Sequence, residues 1–410
     1  MDQVHVTTTI LFTLSNTRTR YNIMEKLAPE LIQEILEHIH AKADLASFRL
    51  VQRSFAELGE EYFFRIIDVK PTYRSLYTLL EISQNVEFAR HVRQVVLHLD
   101  DFRHSIWIPF IERLKAEGLE NGTITQKNEV LQKLGAELGD FQTSPDYTGI
   151  LSTAFMRLPR LEAVQVKERS SRKRGIDSQT AQEMEDHSLL NDYETNQRVW
   201  GSEGGFRAFS ALVGAAYFAG TKLVSFRNNA EMVVVDPVVY KRSELVRRAT
   251  AVFRHCPALE LSLPQADASL LFDLLSPAVR LEKLALHFDL KAYREPVSAF
   301  SKIVESRCVW ASLREVKIKA VCIHRYDGLL EFLQRHHAKL RRLSLWDCKL
   351  TTGSWVGFTL CAKDTLKLTW LELGSLSDAA KTYSEVELEG MRNYVLNPNC
   401  GELPLGLRPT

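Results

Sequence analysis

The chain has 410 residues, 45% of them hydrophobic, and its 52 Lys plus Arg nearly match its 51 Asp plus Glu, leaving a formal net charge of +1. That is globular composition, enough for two or three domains or one repetitive architecture, and the charge balance supplies no global field toward nucleic acid or a membrane. Cys256, Cys308, Cys322, Cys348, Cys361 and Cys400 form no CxxC pair, which argues against a disulfide framework or a zinc ribbon and reads as reduced thiols of a cytoplasmic or nuclear protein.

Residues 1–23 read as a disordered leader. The apolar run "TTTILFTL" is short, no Lys or Arg precedes it, and a secretory signal is not expected. No apolar run approaches the roughly 18 residues of a membrane span. From residue 24 a pattern sets in. Pro29 fits the first turn of a helix, where its missing N–H costs nothing. Leu31, Ile32, Ile35, Leu36 and Ile39 then recur at helical spacing as one apolar stripe, opposite Glu30, Gln33, Glu34 and Glu37. Asp44 is the expected N-cap of a second short helix carrying Leu45, Phe48, Leu50 and Val51. Phe55, Leu58, Tyr62, Phe63 and Phe64 continue the pattern into a third helix. Three such helices are too short to expect a core of their own. Either the stripe caps the rest of the chain, or another protein covers it.

The order Leu27, Pro29-Glu30, Ile32, Ile35-Leu36, Asp44-Leu45, Arg49-Leu50-Val51 and Arg53-Ser54-Phe55 resembles the F-box, with Ala28 standing where many members have proline and "QRSF" replacing a commoner Cys-Lys-Trp/Phe ending. In that family a three-helix motif docks on the small Skp adaptor of cullin–RING ubiquitin ligases. The resemblance covers residues 25–65, within an F-box domain expected over 24–66. It implies that a partner covers the stripe, with Leu27, Pro29, Leu31, Ile32, Ile35, Leu36, Leu45, Phe48, Leu50, Val51 and Phe55 as the adaptor-binding set.

From residue 92 a six-residue pattern, apolar-x-x-apolar-x-apolar, keeps returning. Its clear copies start at Val92, Leu161, Leu281, Leu313, Leu340 and Leu368, and weaker ones start at Leu223 and Ala258. Alternation at the fourth and sixth positions marks one face of a short strand. Helical patterns separate the later copies, over 243–256, 326–340 and from near Pro296. The starts at 258, 281, 313, 340 and 368 are 23, 32, 27 and 28 residues apart, around the 20–29 of leucine-rich repeats. An ordinary α/β sheet domain is the competing reading, and the recurrence of one strand motif with helices between copies favours the repeat. The expected fold is therefore α/β, a three-helix F-box followed over 67–396 by an irregular leucine-rich-repeat solenoid of the kind found in fungal F-box proteins. Insertions are expected at 101–150 and 168–205, and a flexible tail over 397–410.

Chemistry-bearing motifs are sparse. "GSEGGF" (201–206) lacks the Lys-Ser/Thr of a phosphate loop and reads as a hinge. Glu34 and His38 form half a metal site with no second half. His336 and His337 fall at a helix end, where cationic or polar side chains suit the macrodipole. Arg172-Lys173-Arg174 reads as a solvated loop rather than an import signal. No metal or cofactor is called for, and the expectation is a non-catalytic substrate receptor of an SCF-type ubiquitin ligase. It binds the Skp adaptor, through it cullin, and an unidentified target protein, with no nucleic acid or membrane partner. A repeat scaffold acting outside any ligase is the runner-up, and an enzyme with an unrecognised site comes after it. For the target, outward strand positions in the last three copies form three rows: Glu315, Arg342, Trp370; Lys317, Ser344, Glu372; and Lys319, Trp346, Gly374. Lys317, Lys319, Arg342, Trp346 and Trp370 are the expected target-binding set, a combination enriched in hot spots.

Residues 168–200 carry too few apolar groups to offset the entropy of ordering them. Limited proteolysis of the full chain should cut there first and leave the flanking parts as large fragments. Resistance of this stretch would place it in the folded body.

Overall fold

The computed structural model describes residues 27–39, 41–100, 145–169, 203–229, 242–263, 268–288, 308–397 and 399. The expectations for 1–23, for 101–144, for 170–202, for the helix near Pro296 and for most of the tail lie outside the described residues.

The N-terminal pattern gives α1 (Pro29–His38), α2 (Lys42–Arg49) and α3 (Arg53–Phe64). Pro29 opens α1 at the position expected of it. Asp44 does not cap α2. The helix starts at Lys42 behind Ala41, and Asp44 lies in its first turn, where a carboxylate suits the helix dipole. These helices do hold a core of their own, contrary to expectation. Ile32, Leu36, Ile39, Leu45, Phe48 and Phe55 bury one another, with the Phe48 and Phe55 rings stacked at 4.6 Å. This cluster shares no member with the core of the remaining chain.

The rest alternates strands and helices: β1 (Ile66–Val69), α4 (Tyr73–Gln84), α5 (Val86–Ala89), β2 (Gln94–Asp100), α6 (Pro145–Met156), β3 (Ala163–Arg169), α7 (Glu203–Phe218), β4 (Ser225–Asn228), α8 (Arg242–Phe253), β5 (Ala258–Leu263), α9 (Ala268–Leu275) and β6 (Lys283–Phe288). Then follow β7 (Glu315–Lys319), β8 (Cys322–Arg325), α10 (Tyr326–Arg335), β9 (Arg342–Trp346), β10 (Lys349–Thr352), α11 (Trp355–Thr365), β11 (Trp370–Gly374) and α12 (Glu385–Leu396). The architecture is α/β. Nine strands form one parallel sheet in the order β1-β2-β3-β4-β5-β6-β7-β9-β11, so every strand lies beside the one preceding it in this series. Helices follow suit: α4 packs on α6, α6 on α7, α7 on α8, α8 on α9, α10 on α11 and α11 on α12.

The register aligns the motif. Val95, Val164, Phe226, Leu259, Leu284, Val316, Leu343 and Leu371 pair in one row at the fourth position, and all are buried. Two starts differ from the sequence reading. Leu259 pairs with Leu284, so the weak copy begins at Cys256 rather than Ala258, and the spacing to Leu281 becomes 25 residues. A further copy precedes Val92: Phe64, Ile67 and Val69 take the first, fourth and sixth positions, with Ile67 against Val95. The glycines of "GSEGGF" do not make a hinge in the described part, since Gly204 and Gly205 lie inside α7. A second, two-stranded parallel sheet of β8 and β10 was not anticipated. The backbone reaches it through Ala320, Asp347 and Ser375, at φ 60°, 52° and 49°, which follow β7, β9 and β11 at the same position. Left-handed backbone costs a non-glycine residue roughly 1–2 kcal/mol, opposed here by ladder bonds from Ala320 N to Trp346 O (2.8 Å) and Asp347 N to Gly374 O (2.9 Å).

Since the two cores share no residue, Phe48→Ala should remove about 3–5 kcal/mol from the three-helix unit alone. Native-state hydrogen exchange should show lost protection over 29–64 with the sheet amides unchanged. An equal loss across the sheet would mean one cooperative unit.

Candidate partner-binding surfaces

The apolar stripe of the sequence divides into two faces. Ile32, Leu36, Leu45, Phe48 and Phe55 point into the three-helix core, and Leu27 packs against it. The side chains of Ile32, Leu36, Leu45, Phe48 and Phe55 are buried there and hold the unit together. Pro29, Leu31, Ile35, Leu50 and Val51 stand outside. Leu50 is 87% exposed and Ile35 37%. Scattered exposed apolar residues are ordinary, but large ones concentrated in a unit this small mark an interaction surface.

The unit is tied to the sheet at Asp68 of β1. Lys42 at the start of α2 meets this carboxylate at 2.8 Å, and His98 of β2 meets its other oxygen at 2.7 Å. Burial opposes ionisation of Asp68, but hydrogen bonds from His98 and Lys42 outweigh it and hold the carboxyl at about 2. The folded value lies below the ordinary 3.8, so this clamp is complete above that ordinary value and is lost only as pH falls through 2. Within the unit, Arg49 of α2 braces α3. Its stem lies so close to Gly59 that a Cβ there would come 2.7 Å from the Arg49 Cγ. Its guanidinium sits 5.1 Å from the Phe63 ring centroid. Phe64, beside it, stacks on Phe88 of α5 at 4.3 Å.

On the strand face the register places Glu315, Arg342 and Trp370 in one row, Lys317, Ser344 and Glu372 in the next, and Lys319, Trp346 and Gly374 in the third, as the spacing predicts. The side chains then engage one another. Arg342 lies 4.8 Å over the Trp370 ring, Lys317 meets Glu315 at 3.1 Å, and Ser344 donates to Glu372 at 3.0 Å. Trp346 lies across Gly374, where any Cβ would collide with its ring, and it remains 39% exposed. His287 of β6 joins this face, 3.8 Å from Glu260. Burial lowers its pKa first, and Lys319 and Lys317 add to this against the opposing Glu260. His287 and Glu260 were missed because a strand residue is assigned to this face only once neighbouring strands are in register.

The other sequence candidates are structural. His336 does stand at the C-terminus of α10, as a polar rather than a cationic group. It is buried and stacked on Trp310 at 5.6 Å, its Nδ1 donates to Phe332 O at 2.8 Å and its Nε2 accepts from Trp310 N at 3.1 Å, and burial lowers its pKa. That bonding fits the neutral ring. His38 directs Nδ1 to the Glu34 carbonyl at 2.8 Å, not to the Glu34 carboxylate. Burial pushes the Cys256 and Cys348 thiols up to about 12, far from the reactive thiolate. Among the described residues no three His, Cys, Asp or Glu side chains are grouped to hold a metal, and no helix is long and apolar enough to cross a membrane. No protein-family model matches the chain, and no curated protein is significantly similar to it.

Replacing Gly374 by Ala should lift the Trp346 ring off the backbone and red-shift tryptophan emission. The shift should vanish when Trp346→Phe is added. If it persists there, another tryptophan reports the change and the Trp346–Gly374 contact is not what the substitution disturbs.

Proposed function

We propose that this chain is the substrate-recognition subunit of an SCF-type cullin–RING ubiquitin ligase. Residues 27–64 act as the F-box that binds the Skp adaptor, and the strand–helix repeats, as irregular leucine-rich repeats, hold a target protein. The observation that carries this reading is the three-helix unit itself. It is self-supporting through its own core, it stands apart from the core of the sheet, and it leaves Leu31, Ile35, Leu50 and Val51 uncovered. The sequential parallel sheet supports the repeat reading, because stacked strand–helix units each contact only their neighbours. On this reading the protein performs no bond chemistry. It raises the effective concentration of a target lysine near the loaded conjugating enzyme and orients it. The Asp68 clamp and the Phe64–Phe88 stack join the three-helix unit to the repeats, as such orientation requires, and the face with Lys317, Lys319, Arg342, Trp346 and Trp370 is the proposed target surface.

Truncating a central apolar anchor typically costs about 2 kcal/mol or more, roughly thirtyfold in affinity. Ile35→Ala together with Leu50→Ala, both on the exposed face, should abolish co-purification of adaptor and cullin while circular dichroism stays unchanged. Undiminished adaptor binding by the folded double variant would sink the F-box reading. Capture of the adaptor without cullin by the unaltered chain would point to a scaffold acting outside the ligase.

A further inference from the structure

The strands all enter the sheet at one edge, where the residue just before the first apolar position of each repeat stands. That residue is Arg160 ahead of β3, Lys222 ahead of β4, Arg280 ahead of β6, Lys339 ahead of β9 and Lys367 ahead of β11. All five are exposed, and none has an ion-pair partner among the described residues. His255 holds the same place ahead of β5 and is exposed too. His91 ahead of β2 is partly covered, 3.9 Å from Glu60, and Ser312 and Phe63 break the series ahead of β7 and β1. The register brings members on neighbouring strands about one strand spacing, ~4.8 Å, apart. Glu162, Glu282 and Asp364 share this edge, and Glu162 is occupied by Arg93 at 2.9 Å.

Helix C-termini reach the same edge, so part of this charge complements their dipoles. The dipoles do not account for what lies between the cations. Met156 and Phe218 close α6 and α7, and Val224, Val279 and Val309 lie in the turns into β4, β6 and β7. Each has at least half of its side chain exposed. Cations interleaved with water-facing apolar side chains match the chemistry of an anionic bilayer surface, whose head groups take the charges and whose acyl boundary takes the apolar groups. A nucleic acid would call for open aromatic stacking platforms. The aromatic ring exposed here, Phe218, is covered on one side by the Arg248 guanidinium at 4.8 Å.

We infer that the strand-entry edge of the sheet docks on an anionic lipid bilayer. The net charge of +1 conceals this edge because acidic helices elsewhere, such as α1 and α12, cancel it in the sum. Docking is peripheral, through side chains at the edge, and it stands or falls independently of adaptor binding.

Co-sedimentation of the purified full chain with vesicles tests this. The chain should bind vesicles of phosphatidylcholine mixed with phosphatidylserine, fail to bind phosphatidylcholine alone, and lose binding as salt is raised. Each Lys or Arg near such a surface contributes about fivefold, so Lys222→Gln, Arg280→Gln and Lys339→Gln together should lower partitioning roughly a hundredfold. Lys317→Gln, Lys319→Gln and Arg342→Gln remove the same charge from the strand face and should leave vesicle binding unchanged. Phe218→Ser with Val279→Ser, which alters no charge, should weaken binding as well and guards against a folding defect in the edge variant. Failure of the unaltered chain to sediment with mixed vesicles would overturn the proposal. So would equal losses in the two charge variants. Displacement from vesicles by a single-stranded oligonucleotide, with the apolar variant binding normally, would identify a nucleic-acid surface instead.

Discussion

One backbone carbonyl per strand, at the second motif position, sets the register of the sheet. Arg65 O accepts from both Arg93 N and Gln94 N, Arg93 O from Glu162 N and Ala163 N, and Glu162 O from Val224 N and Ser225 N. The same two-donor arrangement recurs at Pro257, Glu282, Arg314 and Arg341. It lapses to one donor at Val224 O, where the next strand offers Pro257, a residue with no N–H to give. These joints fix each strand at its entry point. A slip of one residue would turn every fourth- and sixth-position leucine away from the helices, so the hydrophobic core and the outward rows both depend on them.

An open stack of this kind has two ends, and they are closed differently. At β1 the chain provides the three-helix unit, held by Asp68 and by Phe64 stacked on Phe88. At β11 a polar turn takes over. Asp378 stands in line with Ile323 and Leu350 of the second ladder, where an apolar side chain is the rule. Its Oδ1 accepts from Ala380 N at 2.9 Å and Lys381 N at 3.1 Å, and Tyr383 donates to its other oxygen. Burial disfavours the charge, yet these bonds keep the carboxyl below its ordinary value. Trp355 adds a bond from Nε1 to Ser377 O at 2.9 Å, and α12 begins at once through a Ser384–Glu387 capping box. A turn with its polar groups satisfied internally ends a ladder without offering another edge for pairing.

Three surfaces thus belong to different parts of the fold: the outer face of α1 and the α2–α3 turn, the strand face, and the strand-entry edge. The first lies on the three-helix unit with its own core, and the other two are separated by the repeat, since each motif position projects into its own row. Substitution in one row leaves the spacing of the others intact, and the three surfaces can be tested one at a time.

Much of this was legible in the sequence. The apolar-x-x-apolar-x-apolar motif determined where strands begin, that they share one face, and even the rows Glu315–Arg342–Trp370 and Lys319–Trp346–Gly374, because a period of two and a fixed motif leave no freedom in which residues align. Phe64 was legible as well, but the third helix claimed it. Cys256 lost its place to Ala258 because "ALELSL" alternates acceptably in either frame, and only pairing with β6 distinguishes the frames. The row of cations could have been read one residue ahead of each leucine, though total charge hides it. Tertiary structure decided the rest. Helical spacing made Leu31, Ile32, Ile35 and Leu36 a single stripe, and only the packing of the three helices into one core buries Ile32 and Leu36 and leaves their neighbours outside. Likewise Trp346 and Trp370 became a packed pair of contacts, with Gly374 and Arg342, because side chains brought into adjacent strands interact with each other before any partner arrives. Periodicity states which residues share a direction, and burial depends on what the fold places there.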